Sequence, residues 1–253
     1  MESPTLVTAA DRPELMDEML RLGASPWPEF LNQGAVVSRL WRSIYDLAPD
    51  YQFALLDEQT DSLAAIGNCI PIRWDGQVET LPDRGIDAVL DDGCALLREG
   101  ATPTAASALM IVVAPERLGQ GLSARAIKAM AEVVSRHGLS DLVAPVRPID
   151  KHLYPLIAME RYIRWRRDDG LPFDSWIRVH MRVGGEILGC APAAMLVTGS
   201  VTEWEAWTGM AMPDSGAYVV PGALVPVSIE RERDLGEYLE PGCWMRHHVA
   251  ARQ

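Results

Sequence analysis

The chain has 253 residues, 48% of them apolar, which is enough to bury the core of one large domain or two small ones. A formal net charge of −12, with no clustered Lys or Arg, excludes nucleic acid as a partner. The sequence has no signal peptide pattern and no apolar run of about 18 residues, so we expect a cytoplasmic protein that does not act at a membrane.

The first third of the chain predicts a strand, two helices and a hairpin. A β-prone segment, residues 5–10, precedes a capped helix over 11–23. Apolar residues three and four positions apart predict a second helix over 29–47. Two apolar segments, 51–56 and 63–72, are separated by polar residues and predict an antiparallel hairpin.

The middle of the chain predicts a β–loop–α–β unit. Residues 85–99 have the apolar spacing of a helix, and 108–113 form the most apolar segment, which is typical of a central strand covered on both faces. A loop and a helix over 115–136 follow, and then a strand over 141–146.

The remaining elements are a short helix near 151–160, a strand over 175–183, a helix near 201–207 and a β-rich segment with strands at 225–229 and 244–249. We therefore predict an α+β fold with a central mixed, mostly antiparallel sheet flanked by helices.

Cysteine and histidine spacing argues against a metal or disulfide framework. The four cysteines are far apart, with no CxxC pair, and we expect them to be reduced and mostly buried. The adjacent His247 and His248 point to opposite faces of a strand, and no pair of histidines has metal-ligand spacing. We expect no metal.

Two glycines, Gly119 and Gly121, lie between the central strand and the following helix. Such a turn points backbone N–H groups in one direction, next to the positive end of the helix dipole, and suits a diphosphate. The segment lacks both a Gly-x-Gly-x-x-Gly pattern with a later acid and a Gly-Lys-Ser/Thr pattern, so a dinucleotide or ATP site is not expected.

The run from Val113 to Ser123 resembles motif A of the GNAT superfamily of N-acetyltransferases, Val-x-Pro-x-x-(Arg/Gln)-Gly-x-Gly-x-(Gly/Ala). The order of predicted elements is also similar to that family. Leu118 and Ser123 depart from the motif, but the turn binds through backbone N–H groups, which any residue supplies. The resemblance implies acetyl-CoA as co-substrate.

The resemblance also implies which residues bind acetyl-CoA. The pantetheine arm is expected along Val112 and Val113 of the central strand, and Arg117, Arg125 and Lys128 are the nearby cations. The diphosphate is expected on Leu118, Gly119, Gln120, Gly121, Leu122 and Ser123.

Tyr154 is the candidate general acid. The family carries Asn-x-x-Ala-x-x-x-Tyr on the helix after the next strand, and residues 147–154 keep only its tyrosine. A phenol of pKa about 10 can donate to the leaving thiolate; the alternative is a half-buried core tyrosine. The central strand carries no acid at 109–111, so the general base stays open among Asp87, Asp91, Asp92 and Glu203.

Trp204 and Trp207 lie three positions apart on one helical face. This spacing is typical of core packing, and the alternative is an aromatic acceptor pocket.

The resemblance covers residues 5–183. We predict a GNAT-like acyl-CoA-binding core over 1–183 and an extension over 184–253 packed on the same sheet, in one compact domain. The expected function is transfer of an acetyl or other short acyl group from acyl-CoA to a small-molecule or peptide amine, by direct attack in a ternary complex. The alternative is a non-catalytic acyl-CoA sensor or interaction module. Strands at the sheet edge are also compatible with a homodimer.

Overall fold

A computed structural model describes residues 4–57 and 59–249, and a nine-stranded sheet runs through this part of the chain. Its strands are β1 (Thr5–Thr8), β2 (Gln52–Leu56), β3 (Leu63–Ile72), β4 (Ala105–Val113), β5 (Asp141–Val146), β6 (Glu186–Gly199), β7 (Gly216–Tyr218), β8 (Val227–Glu230) and β9 (Leu235–His248). The helices are α1 (Met16–Ala24), α2 (Ala35–Leu40), α3 (Ser43–Leu47), α4 (Gly85–Glu99), α5 (Leu122–Arg136), α6 (Met159–Tyr162), α7 (Ser175–Arg182) and α8 (Val201–Thr208).

The strand order is β1-β2-β3-β4-β5-β9-β8-β7, and β6 also pairs with β9. Strands β4 and β5 are parallel, whereas the other strand pairs are antiparallel. This confirms the predicted mixed, mostly antiparallel sheet. The four strands after residue 183 belong to the same sheet, since β9 pairs with β5. The division into a core and an extension at residue 183 stays a prediction.

Helices cover both faces of the sheet. On one face α1 and α4 contribute Met19, Leu90 and Cys94 to a core cluster with β3 and β4. On the other, α5 buries Met130 and Val134. Burying one such side chain stabilises the fold by about 1.5–3 kcal/mol, so these apolar faces hold the helices on the sheet.

Two predicted helices are interrupted. The predicted helix over 29–47 is a 3₁₀ turn followed by α2 and α3. Gly34 takes an extended conformation between the 3₁₀ turn and α2 and so separates them. The predicted helix near 151–160 shortens to a 3₁₀ turn and α6, because Pro155 disfavours helical geometry at the residue before it.

The predicted strand over 175–183 is wrong: this segment is helix α7. Asp174 accepts hydrogen bonds from the backbone amides of Trp176 (2.9 Å) and Ile177 (3.0 Å), which caps the helix. The cap outweighs the β propensity of Trp, Ile and Val in this segment. The predictions near 201–207, 225–229 and 244–249 correspond to α8, β8 and the end of β9.

Within the described residues, no helix is both long enough and apolar enough to cross a membrane. The cytoplasmic location stays a prediction.

Candidate acyl-CoA and acceptor site

Strands β4 and β5 separate soon after they meet. Their parallel ladder consists of two pairs, Ala106 with Leu142 and Ser107 with Val143. At the same level Leu109 is an extra residue in β4, a bulge opposite β3. Beyond this point the facing edges of the two strands are no longer paired with each other, which opens the sheet where an extended ligand can enter.

A cavity of about 670 Å³ fills this opening. Residues 108–113 of β4 and 144–147 at the end of β5 form its floor, and three indoles, from Trp27, Trp41 and Trp176, lie in its walls. Among the described residues that line it, the ionisable side chains are Arg42, Arg147, His180 and Glu240. A mostly apolar cavity with a few polar groups is typical of a small-molecule site.

The glycine turn is built for an anion. Gly119 and Gly121 have φ of 77° and 74°, in the left-handed region that favours glycine, and Gly121 is the residue before α5. The amides of residues 119–124 donate to no other residue of the described chain. Six such N–H groups, together with the helix dipole, form a site for a diphosphate.

A second, smaller cavity adjoins this turn and is also lined by Val179 and Arg182 of α7. Val113, Leu118 and Ser123 line both cavities. The turn and the opening between β4 and β5 are therefore continuous.

Most of the residues predicted to bind acyl-CoA lie in these two cavities, but Gln120 does not line either of them. It instead accepts a hydrogen bond from Arg117 (3.1 Å). Arg117 is also paired with Asp57 (2.5 Å), and Arg125 donates to the carbonyl of Pro4 (2.8 Å). Within the described chain two basic residues line the cavity at the turn, the predicted Arg117 and the exposed Arg182, which was missed because its helix was predicted as a strand. The predicted residues that line the cavities are Val112, Val113, Leu118, Gly119, Gly121, Leu122 and Ser123.

A buried ion pair lies at the far side of the larger cavity. Nε of Arg147 lies 3.0 and 2.9 Å from the two carboxylate oxygens of Glu240, whose side chain is 5% exposed. Arg147 Nη2 donates to the Gly222 carbonyl, and the hydroxyl of Tyr238 donates to Glu240 (2.6 Å). Arg147 also interacts with Tyr238, and its side chain is 19% exposed and lines the cavity. The pair is fixed, and the guanidinium is still part of the cavity lining.

A histidine pair occupies the α7 side of the same cavity. His180 Nδ1 and His247 Nε2 are 2.9 Å apart, and both side chains are buried. Burial, and then the neighbouring His247, lower the pKa of His180 from 6.5 to about 3, and burial lowers that of His247 to about 4. Both imidazoles are therefore neutral at physiological pH.

This pair predicts acid sensitivity. Since each folded-state pKa lies below the unfolded value of about 6.5, the unfolded chain binds protons first, and stability is lost as the pH falls below 6.5. We expect urea denaturation to give a free energy of unfolding about 2–4 kcal/mol lower at pH 5 than at pH 7.5. In a His180→Asn, His247→Asn double variant, most of this difference in the free energy of unfolding between pH 5 and pH 7.5 should disappear. The control His152→Gln, at an exposed histidine, should keep the difference. An unchanged difference in the double variant would contradict the assignment.

The structure places Tyr154 away from the cavity lining. Its ring packs against Tyr162, Trp165 and Phe173, with centroids 5.0–6.0 Å away.

None of the four acids proposed as general base lines the cavity. Asp87 is buried and accepts from the Leu196 amide (3.0 Å), and burial raises its pKa. Asp91 pairs with two arginines, Asp92 is exposed, and Glu203 caps α8. The acid in the cavity is Glu240, which the sequence did not indicate.

Trp204 belongs to the core. It is fully buried against Phe30 and Tyr238, and Trp207 packs on its ring at 5.2 Å. Neither lines the cavity.

The described residues hold no group of three His, Cys, Asp or Glu side chains that could bind a metal ion. The predicted absence of a metal requirement stays a prediction. The four cysteines are free; Cys190 is half-buried and the other three are buried.

The sheet opening, the glycine turn and the cavity together define an acyl-CoA-dependent acyltransferase. The chain is 30% identical to the arginine N-acetyltransferase avaD of Aspergillus versicolor, over 97% of this chain and 94% of that protein. It belongs to the GNAT superfamily of N-acetyltransferases and transfers an acyl group from acyl-CoA to an amine. The non-catalytic sensor is not favoured.

Two solved structures share the fold. The loading GNATL domain of CurA from Lyngbya majuscula has a TM-score of 0.62 at 18% identity and covers 98% of both chains. The GphF GNAT-like decarboxylase in complex with isobutyryl-CoA has a TM-score of 0.56 at 16% identity, covering 97% of this chain and 100% of its own. No protein-family model matches the chain.

Proposed function

We propose that the acceptor is a small amine that carries a carboxylate, with arginine as the first candidate, and that it attacks the thioester directly in a ternary complex. The observation that carries this proposal is Arg147, which Glu240 fixes in the lining of a mostly apolar cavity. A guanidinium binds a carboxylate by charge-assisted hydrogen bonds. The fungal relative is an arginine N-acetyltransferase, which makes arginine the first candidate.

The cavity walls support the same acceptor class. The indole of Trp41 offers a face for a cationic or apolar side chain, while Arg147, whose guanidinium lies over the Trp27 ring at 6.0 Å, takes the carboxylate. No cysteine lines the cavity within the described chain, which supports direct attack over transfer through a cysteine thioester.

Arginine, agmatine and arginine methyl ester are the discriminating acceptors. Agmatine keeps the guanidinium and lacks the carboxylate, and the ester masks it. We expect kcat/KM for arginine to exceed that for agmatine at least tenfold, since a hydrogen bond to a charged group is worth about 1.5–3 kcal/mol. Thiol release gives the rate, and mass spectrometry gives the acetylated nitrogen. Equal or better turnover of agmatine would refute carboxylate recognition.

Three finer predictions from the sequence remain. Tyr154 as general acid is tested by Tyr154→Phe: loss of kcat with unchanged acetyl-CoA binding supports the role, and wild-type kcat refutes it and leaves the proton transfer to another residue. The homodimer is tested by light scattering of the purified protein. The cytoplasmic location is tested by cell fractionation.

A further inference from the structure

His180 has an unused ring nitrogen beside the acceptor cavity. The side chain is 3% exposed and lines the cavity, and Nδ1 is bound to His247. Its Nε2 is buried and has no hydrogen-bond partner in the part of the chain that is described. A buried polar atom without a partner costs about 1–3 kcal/mol and calls for an explanation.

Helix α7 carries this imidazole at the junction of the two cavities. Trp176 and His180 are one helical turn apart and line the acceptor cavity, while Val179 and Arg182 line the cavity at the glycine turn. An acyl-CoA held by that turn must pass from one cavity to the other to present its thioester to the acceptor. His180 lies beside this passage.

The other ionisable groups of the cavity are already engaged or unsuited. Arg42 and Arg147 stay charged, and the Glu240 carboxylate is held by Arg147 and by Tyr238. Within the described lining, His180 is the ionisable side chain with a nitrogen free to exchange a proton.

We propose that His180 is a catalytic residue that carries the proton from the attacking amine to the leaving thiolate of CoA, and that His247 is the positioning residue that fixes its tautomer. As the C–N bond forms, the amine nitrogen gives one proton to Nε2 of His180. The C–S bond breaks with its electron pair on sulfur, and the imidazolium returns the same proton to the thiolate. The products are amide and CoA thiol, with His180 neutral again, and no further reactant is needed.

The geometry of the pair fits this cycle. With Nδ1–H of His180 donating to Nε2 of His247, the His180 Nε2 carries a lone pair that can accept a proton. Burial lowers the pKa of His180, so the resting imidazole is neutral and the lone pair on Nε2 is available. A Cβ at position 185 would come within 2.7 Å of His247, so Gly185 leaves room for the partner ring.

Kinetics of His180→Gln test the catalytic role, with acetyl-CoA and whichever amine of the arginine series wild type acetylates fastest. We expect kcat to fall by about 100-fold or more, with the Kd for acetyl-CoA by calorimetry within threefold of wild type. Added imidazole should partly restore kcat in His180→Ala. A kcat of His180→Gln within threefold of the wild-type value would overturn the proposal. If the wild-type protein does not acetylate arginine, only the acceptor proposal fails.

His247 variants separate positioning from structure. Gln can accept the Nδ1–H bond at its oxygen, so His247→Gln should keep kcat within tenfold, whereas His247→Leu should lose kcat as His180→Gln does. The matched control is His248→Gln, the next residue of β9, whose side chain is 66% exposed; it should keep wild-type kcat. Equal kcat in His247→Leu and wild type would contradict the positioning role.

One measurement needs no variant. Long-range ¹H–¹⁵N spectra of the histidine side chains in the wild-type protein report both tautomer and charge. The proposal requires neutral His180 with unprotonated Nε2 at pH 7. A protonated Nε2, in the other tautomer or in the imidazolium, overturns it.

Discussion

Gly121→Asp should weaken acetyl-CoA binding by about 100-fold, or about 3 kcal/mol. Gly121 has φ of 74°, so an L side chain there costs about 1–2 kcal/mol of backbone strain. The new carboxylate also stands where the turn receives a diphosphate, and like charges in contact repel. Calorimetry with acetyl-CoA measures the loss, and kcat at saturating acetyl-CoA should change much less.

Gly138→Asp is the matched control for this variant. Gly138 has φ of 73°, and, as at Gly121, no described residue other than its chain neighbours lies within 4 Å of an added Cβ. It follows the end of α5, outside both cavities. Gly138→Asp should lower the free energy of unfolding about as much as Gly121→Asp does, while its Kd for acetyl-CoA stays unchanged. An equal loss of acetyl-CoA affinity in both variants would contradict the assignment of the turn to the diphosphate.

Arg147→Met should lower the free energy of unfolding by about 3–5 kcal/mol, because it leaves the buried Glu240 carboxylate without its partner. Adding Glu240→Gln should recover part of that loss, since the buried charge is then removed. Urea denaturation of the wild type, the two single variants and the double variant gives the coupling energy of the pair.

Arg136→Met is the control for the ion pair. Arg136 and Glu132 form a pair at i,i+4 on α5 with side chains 39% and 41% exposed, and such pairs contribute less than about 1 kcal/mol. If Arg147→Met lowers the free energy of unfolding no more than Arg136→Met does, the Arg147–Glu240 pair does not stabilise the cavity wall.

The sequence predicted the local parts of the site and missed the parts that depend on distant contacts. The glycine turn and the apolar strand before it are contiguous, so their residues could be named. Arg147 and Glu240 are 93 positions apart, and His180 and His247 are 67 apart. No local pattern indicates which of many charged or aromatic residues meet across such separations.

Helix α7 is a different kind of miss, because its signal was present. Asp174 precedes apolar residues at 176, 177 and 181, with His180 one turn after Trp176, which is helical spacing behind a capping residue. The β propensity of Trp176, Ile177 and Val179 opposes this spacing, and the Asp174 cap decides for the helix, which carries His180 and Arg182 to the cavities.

The pairing of β5 with β9 has a consequence for how the protein is made. Asp141 of β5 pairs with His248 of β9, about 100 residues later in the chain, so the two strands form contacts with a very large sequence separation. During synthesis, the edge of β5 that pairs with β9 stays unpaired until β9 has left the ribosome. The segment between these strands can until then fold only on an incomplete sheet. We expect slow folding and a nascent chain that depends on chaperones to keep this open edge from pairing with other chains.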